Sequence, residues 1–139
     1  MPSPADNIKN LLRALGIETT GWVIRVGRFP TSPDRVLVVA DSGGGNAEPS
    51  LLIDYPTVQL RTRGDAGGTS YPDAYAKLES ARTVLLGIPE APAQYPELVS
   101  VTQRGHISWL GYDDSDRPMF SLNLQLIVEP APTVGGHRV

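Results

Sequence analysis

The segment MFSLNLQLIVE, residues 119–129, alternates without a break. Phe120, Leu122, Leu124, Leu126 and Val128 fall on one side, and Ser121, Asn123 and Gln125 on the other. A period of two is the signature of a β-strand with one buried face. PTVQLRTRG, residues 56–64, repeats the pattern: Val58, Leu60 and Thr62 on one side, Gln59, Arg61 and Arg63 on the other. Two such strands demand an apolar cover on one face and leave the other polar. This constrains the chain to a sheet with a second layer on one side only.

The cover comes from two helical patterns. In SPADNIKNLLRALG, Ile8, Leu11, Leu12 and Leu15 recur at i, i+3, i+4 and i+7. Ser3 is a candidate N-cap, Pro4 suits the first helical position, Asp6 complements the helix dipole, and Gly16 suits the stop. In YPDAYAKLESARTVLLG, Pro72 suits the start, Ala74, Leu78, Ala81 and Leu85 form the stripe, and Gly87 ends it. Asp73 and Lys77 have the i, i+4 spacing of a surface ion pair.

The β-branched runs WVIRV (22–26) and VLVVA (36–40) predict two more strands, and the turn-rich GRFPTSPDR between them predicts a hairpin. DSGGGNAEPS reads as a flexible loop. LLIDYPTVQLRTR reads as one strand interrupted at Pro56, which cannot donate to a ladder and therefore marks an edge, a bulge or a strand start. LVSVTQRGHISWLG reads as a long strand, or two short ones around Gly105, and YDDSDRP as a polar turn. The resulting order is α-β-β-β-α-β-β. We expect an α+β two-layer sandwich, a mainly antiparallel sheet covered on one face by two helices. With 139 residues, one domain is expected over 1–128, with a flexible tail over 129–139.

Several chemistries lack their residues. The chain has no cysteine, which removes disulfides, thiol catalysis and thiolate zinc sites. DSGG (41–44) looks like the nucleophile motif of chymotrypsin-like proteases, but no histidine precedes Ser42; the two present are His106 and His137. No phosphate-loop or dinucleotide fingerprint occurs, and the two histidines lack metal-binding spacing. DDSD (113–116) lacks the glycine and the bidentate glutamate of a calcium loop. Asp54, Asp65 and Asp73 show no pairing suited to acid–base work. We therefore expect a protein that is not an enzyme and has no cofactor or metal. No apolar run is long enough to span a bilayer, and MPSPADNIKN lacks the pattern of a signal peptide.

The polar strand face is then the informative feature. Arg61 and Arg63, with Arg104 as a potential neighbour, could bind nucleic acid, but the strand has no stacking aromatics between them and the net charge is −3. Plain solvation and a protein interface remain. Arginine is enriched at interfaces, where it forms bidentate pairs with carboxylates. Gln59, Arg61, Arg63, Ser121, Asn123 and Gln125 are accordingly the predicted interface residues.

Three segments carry a resemblance: YPTVQLRTRG, then the alanine-rich helix YPDAYAKLESARTVLLG, then ISWLGYDDSDRPMFSLNLQLIVE. In order and spacing they resemble the tail terminator proteins of long-tailed bacteriophages, also called tail completion or minor capsid proteins. In that family a Q-hydrophobic-R-x-R-G strand precedes the helix. A late hairpin with LG-x-D then leads into R-x-x-F-S-hydrophobic-N. Here these are Gln59, Leu60, Arg61, Arg63 and Gly64, then Leu110, Gly111 and Asp113, then Arg117, Phe120, Ser121 and Asn123. The likeness runs from about Leu51 to Glu129.

The resemblance implies a structural protein that caps the tail tube as a hexameric ring, stops polymerisation and forms the surface for head attachment. It implies three partners: other copies of the chain, the major tail tube protein and the head-completion (connector) protein. DNA would pass through the ring without sequence-specific contact, and no membrane is involved. The site of action would be the head–tail junction of the virion, after synthesis in the bacterial cytoplasm. The competing expectation is a non-viral binding module or a small enzyme of unknown chemistry.

Overall fold

The structure is a computed structural model that describes residues 3–48, 53–67, 70–89 and 91–129. Its elements are α1 (Pro4–Ala14), β1 (Val23–Val26), β2 (Val36–Glu48), β3 (Ile53–Arg63), α2 (Tyr71–Leu86), β4 (Leu98–Tyr112) and β5 (Pro118–Val128). This is the expected order and an α+β fold. The five strands form one sheet in the order β1-β2-β3-β5-β4, antiparallel throughout except for the parallel pair β1–β2.

Local chemistry sets the helix ends. Ser3 and Asp6 form a capping box: the Asp6 N–H donates to Ser3 Oγ, and the Ser3 N–H to Asp6 Oδ2. The Ala5 N–H, another amide of the first turn, donates to Asp41 Oδ1 at 2.9 Å, which ties α1 to β2. The aspartate of DSGG is thus an acceptor for a helix start. Ala5, Ile8, Leu11 and Leu12 are buried, whereas Leu15, expected in the stripe, is the C-cap and 40% exposed.

On α2 the stripe Ala74, Leu78, Ala81 and Leu85 is fully buried against the sheet. Full burial of each leucine contributes about 1.5–3 kcal/mol. Thr62 points into the same layer and donates its hydroxyl to the Ala74 carbonyl at 2.9 Å, so the core's buried threonine is satisfied. Gly64, at the end of β3, lies where an added Cβ would overlap the Ser70 hydroxyl and crowd the Ser70 carbonyl and Pro118. Only glycine fits that approach.

Four local expectations are corrected. β1 and β2 do not form a hairpin. They are parallel, with Val23 opposite Val36 and Val26 opposite Val39, and residues 27–35 cross over between them. DSGGGNAE is not a loop: β2 runs through it to Glu48, with register breaks after Asp41 and Gly45 where bulges absorb the glycines. β3 runs on through Pro56 without interruption, and of the edge, bulge or strand start expected there the register shows a bulge: Pro56 pairs with Gly44 beside the first of those breaks. Asp73 and Lys77 do not pair with each other. Asp73 accepts from Arg35 Nη2 at 3.1 Å, and Lys77 lies over the Trp22 ring at 5.9 Å, because partners from other elements displace a weak helical pair. The C-terminal segment lies outside the described residues from residue 130, as do Pro49 and Ser50 of the glycine-rich stretch.

Candidate interaction site

The strand register brings the predicted residues onto the sheet face away from the helices. Gln59 stands opposite Asn123, Arg61 opposite Ser121, and Thr57 opposite Gln125. Across the next ladder, Arg104 faces Asn123, Ser108 faces Ser121, and Thr102 faces Gln125. Beyond β2, Arg25 pairs with Val38, itself opposite Arg61. None of these rows contains an aspartate or glutamate. These rows therefore offer guanidinium, amide and hydroxyl groups and no carboxylate of their own.

That face is not uniformly open. Arg63 is 2% exposed and Ser121 is 5% exposed. Arg63 lies under the crossover 27–35, donating Nε to the Asp34 carbonyl at 3.0 Å and Nη2 to the Pro33 carbonyl at 2.8 Å. Arg61 donates Nη2 to the Gly27 carbonyl at 2.8 Å. Both guanidiniums lie over the Phe29 ring, at 5.0 Å for Arg61 and 5.1 Å for Arg63. Beneath them Val36 and Val38, which share this face, are fully buried. The crossover thus makes a second, small core on the side that the alternation alone marks as polar.

Arg117 completes the clamp. Its Nη1 donates to the Thr31 carbonyl at 2.9 Å and to Asp34 Oδ1 at 3.1 Å, while Nε donates to Asp113 Oδ2 at 2.8 Å. Burial acts to raise the Asp113 pKa, but the Arg117 N–H and guanidinium and the Ser115 N–H outweigh it and hold it below the usual carboxylate value. Burial, then the nearby Arg117 charge, lowers the Arg63 pKa, against the pull of Asp113 and Asp34. On the face Asn123, Arg104, Arg25, Thr102 and Ser108 are exposed, with Gln59, Arg61 and Gln125 half-buried.

A second surface was not anticipated. β4 is an edge strand, and beside it Phe120 is ringed by Tyr71 at 4.9 Å, Trp109 at 5.1 Å and Tyr75 at 5.5 Å. Trp109 also meets Tyr112 at 5.1 Å. The surrounding rings are 40–47% exposed. Exposed aromatic groups gathered in one patch are the kind of surface that protein contacts cover. Its signal in the sequence was Tyr71 and Tyr75, four apart and outside the buried stripe of α2.

For catalysis or metal binding, the geometry offers little. Among the described residues no group of three or more His, Asp or Glu side chains could hold a metal ion. His106 is exposed on β4, and Asp41 is engaged at the start of α1. No helix among the described residues is long and apolar enough to cross a membrane.

Comparison with known families agrees with the resemblance read from the motifs. The profile described as bacteriophage tail terminator protein matches residues 11–130. No curated relative matches the chain.

Proposed function

The chain belongs to the bacteriophage tail terminator family, and on that footing we propose that it ends the tail tube as a ring of identical subunits, six in number. It is a structural component of the virion tail. In this reading the ring halts addition of the major tail tube protein and presents its other side to the head-completion protein at the head–tail junction. DNA passes through the bore without sequence-specific contacts. The protein carries out no chemistry and needs no cofactor.

The observation that carries the reading is the family match over most of the chain. The part of the predicted polar face that is not buried, Gln59, Arg61, Asn123 and Gln125, is the surface we assign to the tube or to a neighbouring subunit. It is rich in hydrogen-bonding groups and contains no carboxylate of its own, which suits an acidic or carbonyl-rich partner surface. Arg63 takes part from beneath, by fixing the crossover, while Ser121 is buried in the same row as Arg61.

Loss of the gene from its phage is expected to give overlong or headless tails, and the purified protein is expected to cap isolated tail tubes at one end. Electron microscopy reads both. Normal virions from the deletion would overturn the assignment.

A further inference from the structure

We propose that the α2/β4 edge of one copy packs against the α1/β1 edge of a second copy, head to tail. This rests on the ring reading above and names the contact that would build the ring. The first observation is where the exposed apolar groups lie. Among the described residues, the exposed large hydrophobics on α2 and β4 are Tyr71, Tyr75, Leu86, Trp109, Leu110 and Tyr112. The remaining two are Leu15, at the end of α1, and Val26, on β1. None lies on β2, β3 or β5, the three strands between.

The two patches therefore occupy opposite ends of the strand order β1-β2-β3-β5-β4. Val26 pairs with Val39 and Trp109 with Phe120, and both pairs belong to the helix-covered face. The patches can meet in a single layer if the helix layer of one copy continues into that of the next. They differ in size and composition, as a heterologous contact requires.

Charge supports the same pairing. From α1 through Arg28, the cations Lys9, Arg13, Arg25 and Arg28 outnumber Asp6 and Glu18. Along β4 and its turn, Asp113, Asp114 and Asp116 outnumber Arg104 and Arg117, while α2 is balanced. Edges of opposite excess favour each other and disfavour their own kind.

The contact is made by side chains rather than by an added strand. The Ile24 N–H on β1 donates to Glu18 Oε2 at 2.8 Å, and Arg13 holds that carboxylate at 2.7 Å. This edge amide is already occupied, a device that blocks strand addition. On β4 the register breaks at Arg104/Ser108 and Trp109/Gly111, which shortens any ladder two β4 edges could form together.

The absence of cysteine makes the test direct. Val26→Cys and Leu110→Cys are prepared separately, with Gln94→Cys, between α2 and β4, as control, and each is confirmed to melt like the parent. Single variants and their mixtures are treated with a bis-maleimide linker, both free at high concentration and bound to tail tubes. The V26C/L110C mixture is expected to give at least about tenfold more dimer than either variant alone, because an interface raises the effective concentration of its two sides. Equal linking by L110C alone would show β4 meeting β4 and overturn the proposal. So would a mixture that links no better than the Q94C control in both settings. Capping without V26C–L110C linkage would sink only the edge contact, whereas linkage without capping would sink only the tail role.

Discussion

Nη1 of Arg117 donates to the Thr31 carbonyl at 2.9 Å, joining residues 86 apart in sequence. With Nε on Asp113, this one side chain ties the β4–β5 turn to the β1–β2 crossover. The Arg117 side chain is only 11% exposed, so its loss strands partners that water reaches poorly. Arg117→Ala is expected to cost about 2–3 kcal/mol in urea unfolding. Arg117→Lys should recover less than half, since an ammonium cannot reproduce the fork. Arg35→Ala, which breaks the more exposed pairs to Asp65 and Asp73, should cost under about 1 kcal/mol.

Gly64→Ala is expected to destabilise by about 1–3 kcal/mol, because the new methyl group meets Ser70 and Pro118. The unfolding midpoint in denaturant measures it. A neutral result would mean that the β3–α2 corner relaxes easily.

The polar face can be tested without disturbing the clamp. Gln59→Glu with Asn123→Glu changes two opposed residues that the crossover carbonyls do not use. The two new carboxylates face each other across the ladder, which should cost up to about 1 kcal/mol in stability, while tail capping falls away in complementation assays. Full capping by this variant would exclude the face as a contact surface. Arg63→Glu is the wrong probe, because it buries a carboxylate beneath two backbone carbonyls and should lower stability itself.

Acid should weaken the fold through two carboxylates. Burial acts to raise the Glu18 pKa, yet the Ile24 N–H and Arg13 bring it below its ordinary 4.5; Asp113 is likewise held below its ordinary 3.8. Groups depressed by folding add stability above those ordinary values and lose it as pH falls through the folded ones. Chemical denaturation from neutral pH into acid should show that loss. Asp113→Asn should start less stable and show a shallower slope.

Alkali acts through Tyr95, which is 3% exposed. Burial, followed in effect by the nearby charges of Glu97, Asp41 and Asp54, pushes its pKa up from 10.0 to about 12, against a hydrogen bond with Asn7. A group raised by folding contributes fully below its unfolded value, and that contribution is lost as pH rises from 10 towards 12. Tyr95→Phe should remove this alkaline loss while costing about 1 kcal/mol at neutral pH.

Much of this architecture was legible in the sequence. Periodicity marked α1, α2, β3 and β5, and the polar and apolar sides of Gln59–Arg63 and Phe120–Val128 are those observed. Alternation reports which face a side chain points to, but not whether another segment lies over that face. Arg63 therefore looked exposed, although a crossover distant in sequence supplies its acceptors. Short β-branched runs at Trp22 and Val36 do not encode relative direction, so a crossover looked like a hairpin. Glycine density at Asp41–Glu48 suggested a loop, but cross-strand pairing to β3 overrides that local preference. The aromatic edge needed Trp109 and Phe120 to become neighbours of Tyr71, which only the β4–β5 ladder and the packing of α2 bring about.

The crossover is held by three arginines through four main-chain oxygens, those of Gly27, Thr31, Pro33 and Asp34. Every amino acid carries that oxygen. The anchors thus specify the path of the segment while remaining nearly indifferent to its spelling. Exposed positions such as Arg28, Thr31 and Ser32 can change chemistry without releasing the strap. A phage could retune this strip to a new partner by point mutation, with the framework beneath it left alone.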